Sequence, residues 1–339
     1  MKILVLHAWL KGNLGDVLQL SVLLSALRNL EPHTLDLAGF PPHPAPETHE
    51  VLSLADRYLP DTFPWYWAMA PSVAGRLFFE PWWTARRRSL FSRYDAIVCA
   101  PGPYLADYDP RATSALCDLA IAGELRRPVV LANHSIGPLG PKGLSIVNHT
   151  TLRIAREATT HRYLHERGIS AVLSADLAFL YPYAPRATRA GRQTRLVFLR
   201  SNNLDVGRLR LAGDGALFHG SQLIVSASPE PLVLATSDHR RDGRFLARVA
   251  RRLGVPWIPC RSVQEMVDLV DSASEVVSDR YHPAICAAAL GKPARVIENR
   301  EPHKMRGLQS LLAERPLQDL QELARTGLRI LSTTLRSHV

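Results

Sequence analysis

Arg280, His282 and Pro283 are the residues of this sequence whose types and spacing best suit chemistry on an anion. They follow a short apolar run at residues 274–277 and open an alanine-rich stretch that ends at Gly291. This pattern predicts a buried strand, a sharp turn and a helix, since proline is well tolerated in a first helical turn. The free N–H groups of a helix N-terminus favour an anion. The stretch therefore predicts a phosphate-binding arginine beside a proton-donating histidine; the structural alternative is a core helix with a buried arginine–carboxylate pair and a capping histidine.

A second candidate group follows the first predicted strand, residues 2–8. Asn13 and Asp16 stand there in a loop that also contains Gly12 and Gly15. The glycines let the loop backbone come close to a ligand, so Asn13 and Asp16 are candidates to project into a cleft. The structural alternative makes Asp16 the N-cap of the following helix. The loop matches neither the dinucleotide-binding nor the Walker pattern.

Other polar residues come at the ends of further predicted strands. Ligands of open α/β sheets gather at the carboxyl ends of the strands. A lone histidine at such a place is more often a hydrogen-bonded structural residue than a functional one. The candidates are Tyr104 and Asp107 in the glycine–proline turn after residues 95–102, His134 and Ser135 at the end of residues 128–135, and Arg200 near the end of residues 195–201.

These candidates lie in a chain that alternates strands and helices, and the alternation begins again in the second half of the chain. The basic stretch 185–195 is the predicted linker. The pattern predicts an α/β protein with two facing Rossmann-like domains, residues 1–188 and 189–339, that hold a ligand between them. Residues 151–168 are predicted as one helix, and the C-terminal helix is predicted to pack back across the first domain.

The composition describes a folded protein that favours anionic partners. The chain has 339 residues, of which 46% are hydrophobic and 21% charged. Its formal net charge of +10 favours phosphorylated small molecules, acidic glycans or the inner face of a membrane. The sequence has no zinc-finger spacing, RNA-binding aromatic strand or basic repeat, so no nucleic acid partner is expected.

The cysteines and the N-terminus both indicate the cytoplasm. The four cysteines are isolated in apolar segments, which predicts buried free thiols in a reducing compartment. The N-terminal apolar run is short and lacks a small-residue cleavage site, so it is interpreted as a strand and not as a signal peptide. No apolar stretch reaches the ~20 residues of a spanning helix.

Residues 60–94 form an insertion rich in aromatic and basic residues. Aromatic rings beside arginines suit an interfacial contact with anionic lipid, here through residues 65–88. Two alternatives are a helical subdomain whose aromatic residues pack in its core, and a binding lip for a sugar or lipid-linked acceptor. The residues concerned are Trp65, Tyr66, Trp67, Phe78, Phe79, Trp82, Trp83, Arg86, Arg87 and Arg88.

The order and spacing of the motifs resemble the polysaccharide pyruvyl transferase family over most of the chain. The strongest element is Arg280 and His282 followed by Ala287, Gly291 and Pro293, with Lys304 downstream. The others are N-x-G-D at 13–16, APGPYLAD at 100–107, S-I-G-P at 135–138, Arg156 with Glu157 opening a short helix, and D-x-A-F at 176–179. The sequence departs from the family at Tyr281, where leucine is usual, in the glycine content of the turn, and in segment 60–94.

The resemblance implies a fold and a reaction. Members of the family look like glycosyltransferase-B proteins and need no metal for the chemistry. The implied reaction moves the pyruvyl group of phosphoenolpyruvate onto two hydroxyls of one sugar, in a cell-surface polysaccharide, an exopolysaccharide or a lipid-linked precursor. The products are a cyclic ketal and phosphate. No cofactor is implied beyond phosphoenolpyruvate as co-substrate.

The resemblance and the chemistry together imply roles for individual residues. His282 is the general acid, and Asp16 is the base that takes the acceptor hydroxyl proton, with Asp107 behind it. The remaining assignments are Arg200, Arg280 and Lys304 on the anionic donor, and Asn13, Tyr104 and Asp107 on the acceptor.

Two other functions remain open at this stage. A glycosyltransferase with a nucleotide-sugar donor would use the same fold and anion site, with Glu298 or Glu301 facing the nucleoside. A non-catalytic, membrane-associated partner of a glycan assembly complex would use the aromatic and basic insertion.

Overall fold

A computed structural model of the chain describes residues 1–10, 12–39, 46–60, 73–109, 111–186, 194–201, 205–297 and 302–338. Within these ranges, the side chains of residues 46–47, 73–81 and 302–304 lie outside the description. The described chain alternates strands and helices, which confirms the predicted α/β class. Its strands form two parallel sheets and one small antiparallel sheet.

The first parallel sheet carries the candidate residues of the first half of the chain. Its strands are β1 (Lys2–Ala8), β2 (Thr34–Gly39), β3 (Arg57–Pro60), β4 (Ala96–Cys99), β5 (Gly102–Leu105), β6 (Val129–Ile136), β7 (Leu152–Ala155) and β8 (Val172–Leu173). They lie in the order β3-β2-β1-β4-β6-β7-β8, with β5 paired to β6. The helices of this half are α1 (Leu14–Arg28), α2 (Pro46–Ser53), α3 (Val73–Phe91), α4 (Ala112–Glu124), α5 (Pro141–Asn148) and α6 (Ala158–His165). The central strands β1, β4 and β6 are largely or fully buried, as expected where helices cover both faces of a parallel sheet.

The second half is built on a parallel sheet and carries the antiparallel one. The parallel strands are β9 (Thr194–Phe198), β13 (Leu232–Thr236), β14 (Trp257–Pro259), β15 (Ala273–Ser278) and β16 (Ala294–Val296), in the order β14-β13-β9-β15-β16. The antiparallel strands are β10 (Leu209–Leu211), β11 (Leu217–His219) and β12 (Gln222–Val225). The helices are α7 (His239–Leu253), α8 (Val263–Asp271), α9 (Tyr281–Ala289), α10 (Pro302–Glu314) and α11 (Leu317–His338).

The last helix, α11, lies on the first domain. The amide of Gln321 donates to the carbonyl of Phe179 (3.3 Å), and the Ser174 hydroxyl donates to the carbonyl of Leu323 (3.4 Å). Gly327 packs so closely on Ser174 that a Cβ there would lie 2.6 Å from the serine hydroxyl oxygen. The chain therefore crosses between the two sheets at least twice.

Several predicted elements differ in the structure. Residues 151–168 are not one helix: β7 and α6 divide them, because the short apolar run at 152–155 pairs as a strand between β6 and β8. The predicted turn at 102–105 is the strand β5. Cys117 is exposed, whereas the other three cysteines are buried. The predicted domain boundary at residue 188 lies outside the described residues.

None of the helices in the described ranges combines the length and the apolar character that crossing a membrane requires.

Candidate functional site

His282 lies where the two domains meet. It belongs to the first turn of α9, which begins at Tyr281, two residues earlier than predicted, and it is 5% exposed. Its ring packs on the backbone of Gly15, where a Cβ would lie 1.7 Å from Nδ1. The room that Gly15 leaves is therefore filled by the imidazole of the other domain and not by a ligand.

A small cleft opens beside His282. The N–H of Leu14 donates to the carbonyl of Ser237 (3.0 Å), which ties the start of α1 to the end of β13. The described walls of the cleft enclose a volume of about 30 Å³. They are formed by Asn13, Arg200, Ser237, Asp279, Arg280, Tyr281, His282, Pro283 and Met305. The structure thus brings four of the predicted site residues together: Asn13, Arg200, Arg280 and His282.

Arg280 is held by carboxylates of α7. It is the N-cap residue of α9 and is 8% exposed. Its Nη2 donates to Asp242 and lies 3.7 Å from Asp238 Oδ2, while its buried Nε has no hydrogen-bond partner within the described residues. Asp242 also accepts from the N–H of Ser201 (3.0 Å), so it fixes the strand end next to Arg200. A buried N–H without a partner is costly, and an anion in the cleft would satisfy it.

Two arginines line this end of the cleft, and a third lies near them. Arg200 lines it and donates its backbone N–H to Asp279 Oδ2 (3.0 Å). Arg241, in the first turn of α7, has a pKa lowered by burial and by the positive charges of Arg200 and Arg280. Repulsion among guanidinium groups is relieved by a bound anion. Sequence reasoning missed Arg241, although its position in the first turn after β13 was a usable signal.

A fully buried charged cluster lies behind His282. Nη1 of Arg156 donates to Asp176 Oδ2 (3.1 Å) and to Gln19 Oε1 (3.0 Å), and its Nε lies 3.3 Å from Glu157 Oε2. Burial opposes the charge of Arg156, but Asp176 and Glu157 outweigh it and raise its pKa. Burial also opposes the charge of Asp176, yet Arg156 and the backbone N–H of Ala178 (2.8 Å) hold the pKa of that carboxyl below its ordinary value. Arg156 and Asp176 therefore both stay ionised in the interior of the protein.

The candidate residues in the loops of the first domain also serve its structure, through hydrogen bonds to the backbone or a place in the first turn of a helix. Asn13, not Asp16, is the N-cap of α1, and its side chain accepts from the N–H of Gly15 (3.3 Å). Asp16 stands in the first helical turn and is half-buried. Asp107 is exposed and accepts from the N–H of Gly140 (2.8 Å). A contact of these residues with an acceptor stays a prediction.

Tyr104 belongs to a buried polar network that sequence reasoning missed. Its hydroxyl is 2.7 Å from His134 Nε2 and 3.3 Å from His7 Nδ1. His7 has a φ of +61° and reaches Asp118 with Nε2 (3.0 Å), and Arg87 donates to both oxygens of Asp118. Burial lowers the pKa of His134 well below its ordinary value, so this histidine is the neutral, hydrogen-bonded residue of the structural interpretation. The predicted acceptor contact of Tyr104 would require its hydroxyl to change partners.

The aromatic and basic insertion is divided between core and surface. Trp83 is buried and faces the guanidinium of Arg87 (5.4 Å from the ring centre). Trp82 is 56% exposed and has the guanidinium of Arg86 over its ring at 5.5 Å. Residues 61–72, with Trp65, Tyr66 and Trp67, lie outside the described residues.

The remaining candidates cannot be placed. Lys304 lies in α10, but its side chain is outside the description, and Glu298 and Glu301 are outside the described residues. Among the residues that the structure describes, no cluster of three or more histidine, cysteine, aspartate or glutamate side chains is arranged to hold a metal ion.

The fold and the cleft define a class of protein. Solved structures with the same fold include a UDP-GlcNAc 2-epimerase from Neisseria meningitidis bound to UDP-GlcNAc (13% identity, TM-score 0.54, covering 99% of this chain and 100% of that one). They also include the Anabaena protein HepE in complex with UDP and glucose (13%, TM-score 0.57, 99% and 100%) and an epimerase from Methanocaldococcus jannaschii (12%, TM-score 0.54, 98% and 100%). The chain is therefore a glycosyltransferase-B-like protein with two Rossmann-like domains, as the resemblance implied.

The family follows from the sequence. The family model described as polysaccharide pyruvyl transferase matches residues 13–301, and the chain belongs to this family, whose members are transferases. A comparison with curated proteins found no match.

Proposed function

We propose that this transferase moves the pyruvyl group of phosphoenolpyruvate onto a saccharide of a cell-surface polysaccharide or of its lipid-linked precursor, and that the cleft beside His282 binds the donor. The observation that carries the proposal is the buried guanidinium of Arg280, whose Nε has no hydrogen-bond partner among the described residues. A phosphate or carboxylate oxygen is the partner that a guanidinium N–H prefers. The N-terminus of α9 adds backbone donors beside it.

Charge favours a small dianion. Arg200 and Arg280 line the cleft, and burial together with their positive charges lowers the pKa of the nearby Arg241, so like charges are crowded there. Phosphoenolpyruvate carries a carboxylate and a phosphate that would offset this repulsion.

The chemistry needs one acid and one base. His282, as an imidazolium, gives a proton to the methylene carbon of the donor, so the C=C π electrons form a C–H bond and the adjacent carbon becomes electrophilic. One acceptor hydroxyl attacks that carbon and gives its proton to Asp16, with Asp107 as the second choice. The phosphate leaves with the C–O bonding electrons and carries off the proton that Asp16 took. The second hydroxyl closes the ketal and gives its proton to His282, which returns to the imidazolium. Lys304 is assigned to the phosphate.

We further propose that the protein works in the cytoplasm against the inner membrane face. The exposed Trp82 and the guanidinium of Arg86 over its ring form the aromatic and basic pair that an anionic bilayer surface attracts.

Purified protein incubated with phosphoenolpyruvate and a panel of nitrophenyl or lipid-linked sugars tests the proposal. We expect acceptor-dependent release of phosphate and a ketal product detected by mass, both lost in His282→Ala. Protection from thermal unfolding by UDP but not by phosphoenolpyruvate would instead favour a glycosyltransferase, in line with the UDP bound to the Anabaena structure.

A further inference from the structure

We infer that Gln19 is a positioning residue that holds His282, in the free protein, as the neutral tautomer with its proton on Nδ1. Gln19 lies on the buried face of α1, one turn after Gly15, and is 1% exposed. Its Nε2 is 2.6 Å from Nε2 of His282. An amide nitrogen only donates, so the histidine nitrogen must accept and carries no proton. The proton of the neutral ring is then on Nδ1, the atom nearest to Gly15.

The orientation of the Gln19 amide follows from neighbours that have one role each. Nη1 of Arg156 lies 3.0 Å from Oε1, and a guanidinium only donates. The carbonyl of Gly15 lies 3.5 Å from Nε2, and a carbonyl only accepts. Exchanging the oxygen and nitrogen of the amide would oppose donor to donor at Arg156 and acceptor to acceptor at Gly15. Arg156 and Gly15 thus decide which end of the Gln19 amide is the oxygen and which is the nitrogen.

Arg156 cannot easily turn away to release the amide. It is fully buried, and besides Gln19 it holds Asp176 (3.1 Å) and the Ser135 hydroxyl (2.7 Å). The ring of Tyr281 lies 4.8 Å from its guanidinium carbon. The interior of the first domain therefore sets the hydrogen bonding of a histidine that belongs to the second domain.

The charged groups around His282 act in both directions. Asp176 Oδ2, 3.8 Å from Nε2, favours the imidazolium. The positive charge of Arg156 behind Gln19, and those of Arg200 and Arg280 in the cleft wall, disfavour it. Asp16 stands on α1 one turn before Gln19, the neighbouring Tyr281 ring is 5.5 Å away, and α10 contributes Met305 to the cleft wall.

Protonation of His282 therefore requires the Gln19 amide to turn. A proton on Nε2 would face the amide N–H₂, so Oε1 must rotate towards the ring and give up Arg156. A dianionic donor beside Arg200 and Arg280 supplies the charge that offsets this loss. Gln19 thus keeps His282 neutral until the donor binds. This consequence for turnover rests on the proposed function, whereas the inference that the proton of His282 is on Nδ1 does not.

Nuclear magnetic resonance of the full chain labelled with ¹⁵N-histidine tests the tautomer directly. We expect the His282 signals, identified by their loss in His282→Asn, to show a protonated Nδ1 and a bare Nε2 in the unliganded wild type. In Gln19→Glu a carboxylate accepts from Nε2–H, so the titration midpoint of His282 rises by about one pH unit or more. Gln222→Glu adds the same charge at the exposed start of β12 and should leave the midpoint unchanged.

A protonated Nε2 in the unliganded wild type would overturn the inference without any variant. So would an unchanged His282 midpoint in a Gln19→Glu protein that melts as the wild type does. Gln19→Leu, which removes the donor without adding charge, should mix the two tautomers if the inference holds, and a spectrum like that of the wild type would contradict it.

Turnover gives a readout that separates this inference from the proposed function. With phosphoenolpyruvate and an active acceptor, Gln19→Glu should move the pH limb of kcat upward by about one unit, as the His282 midpoint moves. A wild type that shows the expected tautomer but no turnover of phosphoenolpyruvate would end the proposed function and leave the inference standing. An active Gln19→Glu enzyme with an unshifted pH limb would end the claim that Gln19 controls the protonation of His282 during turnover and leave the function.

Discussion

The imidazole of His282 occupies the space that a side chain on Gly15 would fill. A Cβ on Gly15 would lie 1.7 Å from Nδ1 and 2.1 Å from Cγ of the ring. One residue belongs to the helix after β1 and the other to the helix after β15, so the site exists only when the two domains are docked. The glycine of the N-x-G-D motif is thus explained by the histidine of the second domain.

Gly15→Ala should displace His282 and stop catalysis. The overlap with the ring is too large for a shift of a few tenths of an ångström, so the histidine or α1 must move. A misplacement of about 1 Å costs about 10²-fold in rate, and we expect at least that loss in kcat. The measurement is acceptor-dependent phosphate release beside a thermal melt.

Gly123→Ala is the matched control for that change. Gly123 lies in α4, and a Cβ added there would meet no atom within 4 Å, so alanine should stabilise the helix by about 0.5–1 kcal/mol and leave the rate unchanged. An active Gly15→Ala enzyme would show that the packing of His282 on α1 is not required.

Asp176→Asn should weaken the fold in a pH-dependent way. The pKa of Asp176 in the folded protein is below its ordinary value of 3.8, so its carboxylate stabilises the fold above that pH, and the contribution is lost as the pH falls through the lowered pKa. Removing one partner of a buried pair costs about 3–5 kcal/mol, which should be seen near neutral pH. Denaturant unfolding at several pH values should show the gap between wild type and variant closing in acid.

Glu322→Gln serves as the control for Asp176→Asn. The pKa of Glu322 is also lowered, through its hydrogen bond to Arg329, but the group is fully exposed, so solvent screens the pair. We expect no measurable change in stability. A gap for Asp176→Asn that stayed constant down to strong acid would show that this carboxylate is not the titrating group.

Trp82→Ala should weaken binding to anionic vesicles. Losing an exposed indole removes apolar area that would enter the lipid interface, while the arginines keep their charge. Co-sedimentation with vesicles that contain phosphatidylserine should fall several-fold, and added salt should reduce it further. Tyr108→Ala removes another exposed aromatic residue and should have no effect. Equal binding of Trp82→Ala and wild type would place the contact elsewhere.

The strand ends of the site were predictable from the sequence. The apolar run before Arg280 and the proline after His282 indicate a strand, a turn and a helix by local rules alone. The structure has the same elements, with α9 starting two residues earlier. Arg200, Arg280 and His282 follow strands that end at the same edge of the second sheet, and Asn13 of the first domain meets them at the cleft.

The network behind His282 was not predictable. Gln19 is one polar residue on an otherwise apolar helix face, and the meeting of α1 with α9 depends on how the two domains dock. Asp242 is one acid in a basic helix, and only the fold brings it to Arg280. Residues 151–168 misled the prediction because a short apolar run suits a strand and a buried helix equally well.

Calorimetric titration of phosphoenolpyruvate into the purified protein tests the central claim most directly. The account predicts saturable binding of one donor per chain, weakened about tenfold or more in Arg280→Lys, which keeps the charge but loses the planar fork of donors. UDP should not bind at the same concentrations. Binding of UDP without binding of phosphoenolpyruvate, or equal donor binding by Arg280→Lys and the wild type, would contradict the account.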